Sequence, residues 1–301
     1  MEFVKGLYRS LLPKDFRRRI AQANHAARNK SLKNEILKYY DALPADSINP
    51  DQREAIDYLR HHQLDVFLHP FREKYQPSDT EVLRDDKLKL PYVVFDGKRL
   101  YYKRDWSEAR IKEYHNGMLQ EQDEQSPHRY LTKSFDVSLN DVVADIGAAE
   151  GIFALSIIER VKRVYLFEAD EDWLDALRAT FEPFQGKVEI IHQAVSNSND
   201  ARNTTLDAFF DNKQLNFIKI DVDGGERAAL EGAKKLLASN KQLKVALCAY
   251  HNQNDEQEFT ALLRKNNFNI EAANGFMIFF YDTTLAPPYL RRGVLRAAKQ
   301  V

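Results

Sequence analysis

The sequence predicts an α/β protein. It should hold a mostly parallel seven-stranded sheet with helices on both faces, an antiparallel last strand, and a mainly helical region in front. Three observations carry this. From Asp141 onward, short apolar runs alternate with amphipathic stretches of helical spacing, the pattern of parallel strands joined by helical crossovers. Asn274-Gly275 stands between the last two apolar runs, a tight-hairpin dipeptide that makes the final strand antiparallel. Before residue 125, apolar residues instead recur every three or four positions.

In chain order, Phe3, Leu7, Leu11, Leu12, Phe16 and Ile20 form a helical stripe, with Lys14, Arg17, Arg18 and Arg19 on the other side. Pro13 suits the first turn of such a helix. Further helices are expected at Ser31–Leu43 and Asp51–Leu68, the latter capped by Asp51 or Asn49. Tyr92–Phe95 and Leu100–Tyr102 flank Asp96-Gly97 as a hairpin, and a charged helix runs from about Ser107 to Gln125. The chain is divided there, into a helical region with a small hairpin (1–125) and an α/β domain with a basic C-terminal tail (126–301). Strands are placed at Val142–Ile146, Arg163–Phe167, Val188–His192, Phe217–Ile220, Lys244–Ala249, Asn269–Ala273 and Phe276–Tyr281. Helices fill Gly151–Arg160, Asp172–Phe181, Leu206–Asp211, Arg227–Ser239 and Asp255–Asn266.

Composition excludes several classes. With 301 residues and 44% hydrophobic content the chain can bury a full core, and no uncharged stretch is long enough for a membrane span. The single Cys248 permits no internal disulfide and no cysteine-rich zinc site, and reads as a small core residue. The start, Met1–Ser10, lacks the apolar core of a signal peptide, so the expected location is cytoplasmic. The net charge of −1 conceals an uneven distribution. Residues 1–30 carry eight basic against two acidic side chains, and Arg291, Arg292, Arg296 and Lys299 follow at the other end. The intervening 260 residues therefore sum to about −11. Two basic amphipathic ends are expected to pack on their own domain, or else to touch an anionic membrane surface peripherally, at the inner face.

Chemistry enters at the first βα turn. Asp145-Ile-Gly-Ala-Ala-Glu-Gly151 follows a buried strand and opens a helix. Gly147 permits the sharp turn, Ala148 and Ala149 let backbone approach a ligand, and Gly151 allows close packing at the helix start. Glu168, about twenty residues on at the end of the next strand, is placed to accept both hydroxyls of a ribose. Ala149 stands where a dinucleotide fingerprint needs its second glycine. Asp145 suits a cationic, amino-acid-bearing ligand better than a diphosphate, which favours S-adenosylmethionine over NAD.

These residues, with Phe167-Glu-Ala-Asp170, Gln193-Ala-Val-Ser196, Thr205-Leu-Asp207 and Ile218-Lys-Ile-Asp-Val-Asp-Gly-Gly-Glu226, resemble class I methyltransferases of the FkbM family over roughly residues 130–285. The family's usual wording has Glu at the Asp223 position, Ala at Gly225 and Asn at Ala149. The resemblance implies a Rossmann-like class I methyltransferase sheet of seven strands, the last antiparallel. It implies S-adenosylmethionine as donor, S-adenosylhomocysteine as product, and a hydroxyl of a sugar, glycan precursor or related metabolite as acceptor, as in polysaccharide biosynthesis. Asp145, Gly147, Ala148 and Gly151 would border the methionine end. Glu168 would hold the ribose, with Ala169 and Asp170 beside the adenosine. Ala194 and Val195 would flank the adenine, and Asp221 would stand where donor and acceptor meet.

An alcohol is a poor nucleophile, so a base or metal should help remove its proton. The candidates at the carboxyl edge are Asp221, Asp223, Glu226 and Tyr250-His251. His251 is the preferred base because an unperturbed imidazole titrates near neutrality. A helix cap or a loop-carbonyl contact is the equal alternative reading of this residue. Asp221, Glu226 and His251 together offer a minor Mg²⁺ alternative, though no metal is expected. Gln122, Ser126, His128, Arg129 and Tyr130, just before the first sheet strand, form a segment that folds over the donor or a plain helix junction. The tyrosine-rich hairpin should pack the helical cap, and His61, His62 and His69 should lie at the surface. Competing functions are an NAD-type oxidoreductase and a non-catalytic binding or scaffold protein. Nucleic acid is not an expected partner, given the acidic body, and the oligomeric state is open.

Overall fold

The computed structural model describes residues 14–299, with side chains from residue 26. The stripe Phe3–Ile20 thus lies largely outside the described residues. Helix α1 (Lys14–Asp41) is continuous where two helices are expected, because the intervening Ala21–Lys30 is rich in Ala, Gln, Arg and Lys. Helix α2 (Pro50–His61) starts at a full capping box: the Asn49 side chain accepts from the Gln52 amide and Gln52 reaches back to Asn49. After β1 (Leu83–Arg84), strands β2 (Pro91–Phe95) and β3 (Lys98–Tyr101) form the hairpin around Asp96-Gly97, both at positive φ, and α3 (Glu108–Glu121) follows.

The α/β part then runs β4 (Val142–Ile146), α4 (Ile152–Ile157), β5 (Arg163–Phe167), α5 (Leu174–Phe181) and β6 (Val188–Ile191). A two-stranded pair, β7 (Ala194–Val195) and β8 (Asn203–Thr204), leads to α6 (Leu206–Phe209) and β9 (Phe217–Ile220). Next come α7 (Glu226–Glu231), α8 (Lys234–Ser239), β10 (Lys244–Cys248), α9 (Asp255–Lys265), β11 (Phe268–Ala272) and β12 (Val294–Lys299). The seven-stranded sheet has the order β11-β12-β10-β9-β4-β5-β6. All neighbours are parallel except those of β12, which runs antiparallel to both β10 and β11.

The expected topology is therefore present, but the expected last strand is not. Phe276–Tyr281 is no strand. Gly275 turns at φ 77° and its amide meets the Asp51 carboxylate, which also holds Arg292 at 2.8 Å. Phe276, Ile278, Tyr289 and Leu290 then pack with Ile36, Tyr40, Ile56 and Leu59 of α1 and α2. Burial against this helical cap outweighs strand pairing for that run. The sheet position is taken instead by Val294–Lys299, from the stretch that reads as a basic tail. Its cations are absorbed internally. Arg296 pairs with Glu271 and donates to the Arg129 and Tyr130 carbonyls, while Arg291 donates to the carbonyls of Tyr250 and His251. Arg291 and Arg296 are thus engaged within the fold rather than presented as a free basic tail.

The division at residue 125 does not separate two cores. Phe71, Val93, Leu100, Tyr102 and Ile111 share one apolar cluster with Val143, Phe153, Leu155 and Phe217 of the sheet domain. The opposite sheet face is covered by α6 to α9. Among the described residues, no helix is long and apolar enough to cross a membrane.

Candidate methyl-transfer site

The carboxyl ends of β4, β5, β9 and β10 open into a cavity of about 710 Å³, roofed by α3. Such an edge, where the strand order reverses, is where open α/β sheets hold ligands. Gly147 makes the opening possible. It turns at φ 76°, and a Cβ there would stand 2.0 Å from the Asp221 carbonyl oxygen, so the first turn and the end of β9 touch only through glycine. Ala149, next but one, also holds a left-handed φ of 47°, a conformation in which asparagine is more at ease.

Glu168, Ala148, Ala169, Asp170, Ala194, Val195, Gly147 and Asp221 all line the cavity. Glu168 Oε2 accepts from the Ala149 amide at 2.8 Å and Oε1 from the Asp170 amide at 2.7 Å. Each oxygen keeps a further lone pair. Asp170 caps the following turn through the Asp172 amide and is paired by Lys103. Phe167, Ala194 and Val195 supply an apolar side for an aromatic base.

Two of the expected contacts are corrected. Asp145 is fully buried beneath the turn, outside the cavity wall, 3.1 Å from Lys219. Lys219 also donates to the Gly147 carbonyl at 2.6 Å. Burial raises the Asp145 pKa despite the lysine. Burial also opposes the Lys219 charge, but Asp145 and Asp221 outweigh it and hold its pKa above the usual range. Gly151 likewise does not line the cavity. Its positive φ of 88° starts α4, and a Cβ would meet the Phe181 ring at 2.7 Å.

Asp221 organises the deep end. It accepts from the Tyr130 hydroxyl at 2.7 Å, while the Tyr250 hydroxyl stands between Asp221 at 3.4 Å and His128 Nε2 at 3.2 Å, the shorter contact. Burial would raise its pKa, but His128, Lys219 and His251 bring it down to about 2. His251 stands behind the wall, with Nδ1 3.0 Å from Glu226 and Nε2 near Asp223 and Asp221. Burial disfavours its charge, yet these carboxylates push its pKa up to about 10. Carboxylates on both ring nitrogens favour the charged form, which has no lone pair to take a proton, so this surrounding does not favour the base reading of His251. For the minor Mg²⁺ alternative, Asp221, Glu226 and His251 bring one ligand atom each within 4.8 Å of one another, although fully buried Glu226 Oε1 already accepts from the Val222 and Gly224 amides.

The sequence reading missed several residues of the wall. Glu150, inside the glycine turn, accepts from the Tyr114 hydroxyl at 2.8 Å, and burial raises its pKa. Glu121 of α3 is pushed up well above the carboxylate range, first by burial and then by Asp221 and Glu150. Lys219 carried a signal that was available: a lysine within the apolar strand Phe217–Ile220 needs a buried partner. Six carboxylates (Glu121, Glu150, Glu168, Asp170, Asp221, Asp223) and one cation, Lys219, line the cavity among the described residues. That donor set fits a cationic ligand with a vicinal diol and an aromatic base.

Comparison with known proteins agrees. Residues 189–270 match the Methyltransferase FkbM domain. The match spans β6 to β11, including Gln193–Ser196, Thr205–Asp207 and Ile218–Glu226. Over those residues the chain is similar to that domain, and the methyltransferase cofactor, S-adenosylmethionine, fits the wall just described. Solved structures of similar fold include a precorrin-6y C5,15-methyltransferase from Geobacter metallireducens GS-15 (14% identity, 56% of this chain and 84% of that chain, TM-score 0.39). Others are an rRNA methylase from Streptococcus thermophilus (15% identity, 55% and 89%, TM-score 0.39) and a Streptococcus mutans protein in complex with SAH (16% identity, 55% and 91%, TM-score 0.36). No curated protein matches the chain in sequence.

Proposed function

We propose that this protein methylates a hydroxyl oxygen of a sugar, glycan precursor or related small metabolite, with S-adenosylmethionine as donor. The observation that carries the reading is the acid-lined cavity holding Glu168 at one end and the Asp221–Tyr130–Tyr250 group at the other. When bound, the donor supplies a methyl carbon made electrophilic by a sulfonium. The wall's carboxylates favour that cation and disfavour the diphosphate of NAD or a nucleic-acid backbone. Glu168 would take the ribose diol through its free lone pairs. Phe167, Ala194 and Val195 would enclose the base, and Gly147 keeps backbone clear of the methionine portion. The main work of the chain is then alignment and exclusion of water. The phenols of Tyr130 and Tyr250, with the Tyr114 ring, offer hydrogen bonds and flat faces suited to a polyhydroxylated acceptor.

Calorimetric titration with S-adenosylhomocysteine and with NAD tests the donor, and labelled-methyl transfer to a glycan panel tests the acceptor. Binding of S-adenosylhomocysteine, lost in Glu168→Ala, is the expected result. Binding of NAD with no response to S-adenosylhomocysteine would overturn the assignment. Methylation confined to amines or ring carbons would overturn the hydroxyl acceptor.

A further inference from the structure

We infer that His128, acting through the Tyr250 hydroxyl, is the final acceptor of the proton released when the acceptor hydroxyl is methylated; this rests on the methyl-transfer reading of the cavity. His128 precedes β4 and belongs to none of the motifs that carry the family resemblance. Its ring is 1% exposed, behind the wall, with Nε2 3.2 Å from the Tyr250 hydroxyl that lines the cavity.

Both partners are held from the backbone. A Cβ at Gly293 would stand 2.2 Å from the Pro127 carbonyl oxygen, and the Val294 amide donates to that same oxygen. Arg291 fixes the Tyr250 carbonyl at 2.8 Å. The last sheet strand and the segment leading into it therefore set the His128–Tyr250 distance.

The groups facing the ring are Glu121, 3.6 Å from Nδ1, and Asp221, 3.6 Å from Nε2, with the Cys248 sulfur at 3.7 Å and the Tyr130 ring alongside. His251 and Lys219 act from farther away. Burial first, then His251 and Lys219, bring the His128 pKa down to about 4 against the pull of Asp221. Burial thus favours a neutral imidazole whose Nε2 faces the Tyr250 hydroxyl at 3.2 Å, whereas His251 is ringed by Asp221, Asp223 and Glu226 and does not line the cavity.

The step balances. As the acceptor oxygen bonds to the methyl carbon, the carbon–sulfur bond breaks with its electron pair on sulfur. The acceptor proton passes to the Tyr250 oxygen while the Tyr250 proton passes to His128 Nε2. The products are a methyl ether, a neutral thioether and an imidazolium facing Asp221 and Glu121. The arrangement requires the resting proton of His128 on Nδ1.

Nitrogen spectra of histidine-labelled full-length protein with S-adenosylhomocysteine bound read this without any acceptor. His128 should stay neutral from about pH 8 to about pH 5, protonated on Nδ1, and its Nε2 resonance should move in Tyr250→Phe. With methyl glycosides as acceptors, His128→Asn should lower turnover about 100-fold at neutral pH. The deficit should narrow as pH rises, with S-adenosylhomocysteine affinity unchanged. Tyr250→Phe, which leaves the buried ring in place, should show the same pH signature. A charged or Nε2-protonated His128 at neutral pH, or full turnover in His128→Asn, would overturn the inference. If no glycoside is methylated, the spectra alone decide. Failure of the wild type to bind S-adenosylhomocysteine would instead overturn the donor reading.

Discussion

Replacing Lys219 by methionine should destabilise the protein by about 3–5 kcal/mol, because it leaves the fully buried Asp145 without its counter-charge. At their 3.1 Å separation, with an effective dielectric near 20, the pair attracts by about 5 kcal/mol. Desolvation of both groups offsets most of that, so the pair contributes little net stability although its rupture is costly. The Gly147 carbonyl also loses its 2.6 Å donor. The double variant Lys219→Met/Asp145→Leu should then recover to within about 2 kcal/mol of wild type. Urea denaturation with matched slopes measures all three proteins and closes the cycle. In the single variant Asp145 should take a proton on folding. The folded state then binds more protons than the unfolded one, and the deficit should grow as pH rises from about 5 to about 8. A cost below about 1 kcal/mol in Lys219→Met, or a double variant no better than the single, would refute the argument.

Gly147→Ala should reduce S-adenosylhomocysteine binding at least tenfold and cost about 2 kcal/mol, since φ 76° and the Asp221 carbonyl both exclude a Cβ; calorimetry showing wild-type affinity would contradict it. Ala149→Asn should raise stability by about 0.5–1 kcal/mol by easing its left-handed φ, read as a higher denaturation midpoint. The buried histidines should contribute opposing pH dependences to thermal stability. His115 and His128, both held to about 4, bind fewer protons folded than unfolded, so stability falls as pH drops below their unfolded values, by roughly 3 kcal/mol each. His251, raised to about 10, contributes fully below its unfolded value and loses that contribution as pH rises through 10. Melting curves of His251→Asn should decline less above about pH 6.5 than those of the wild type.

Much of the sheet was legible because each parallel strand is a short apolar run bounded by polar helices. The places of Glu168 and the Gly147 turn on the cavity wall were legible for a similar reason: they are set by backbone position at a strand end, which spacing reveals. Side-chain protonation was not. His251 looked like a base because its type titrates near neutrality, and only the structure brings Asp221, Asp223 and Glu226, from the one stretch after β9, against its ring. Asp145 was misassigned because a strand-end acid is the same in sequence whether it faces a ligand or a lysine on the neighbouring strand. The last strand was misplaced because Phe276–Tyr281 is more apolar than Val294–Lys299, and local apolarity does not reveal which surface will cover it.

The position of β12 bears on how the chain reaches this state during synthesis. Strands β10 and β11 are not hydrogen-bonded to each other, and β12 enters between them. Until residues 294–299 leave the ribosome, both strands present open edges of the kind that pair with other chains. The order of the sheet thus makes its completion an insertion that must wait for β12 to follow β10 and β11. The same insertion brings Arg296 onto the Arg129 and Tyr130 carbonyls, so the deep end of the cavity is fixed only when that insertion is complete.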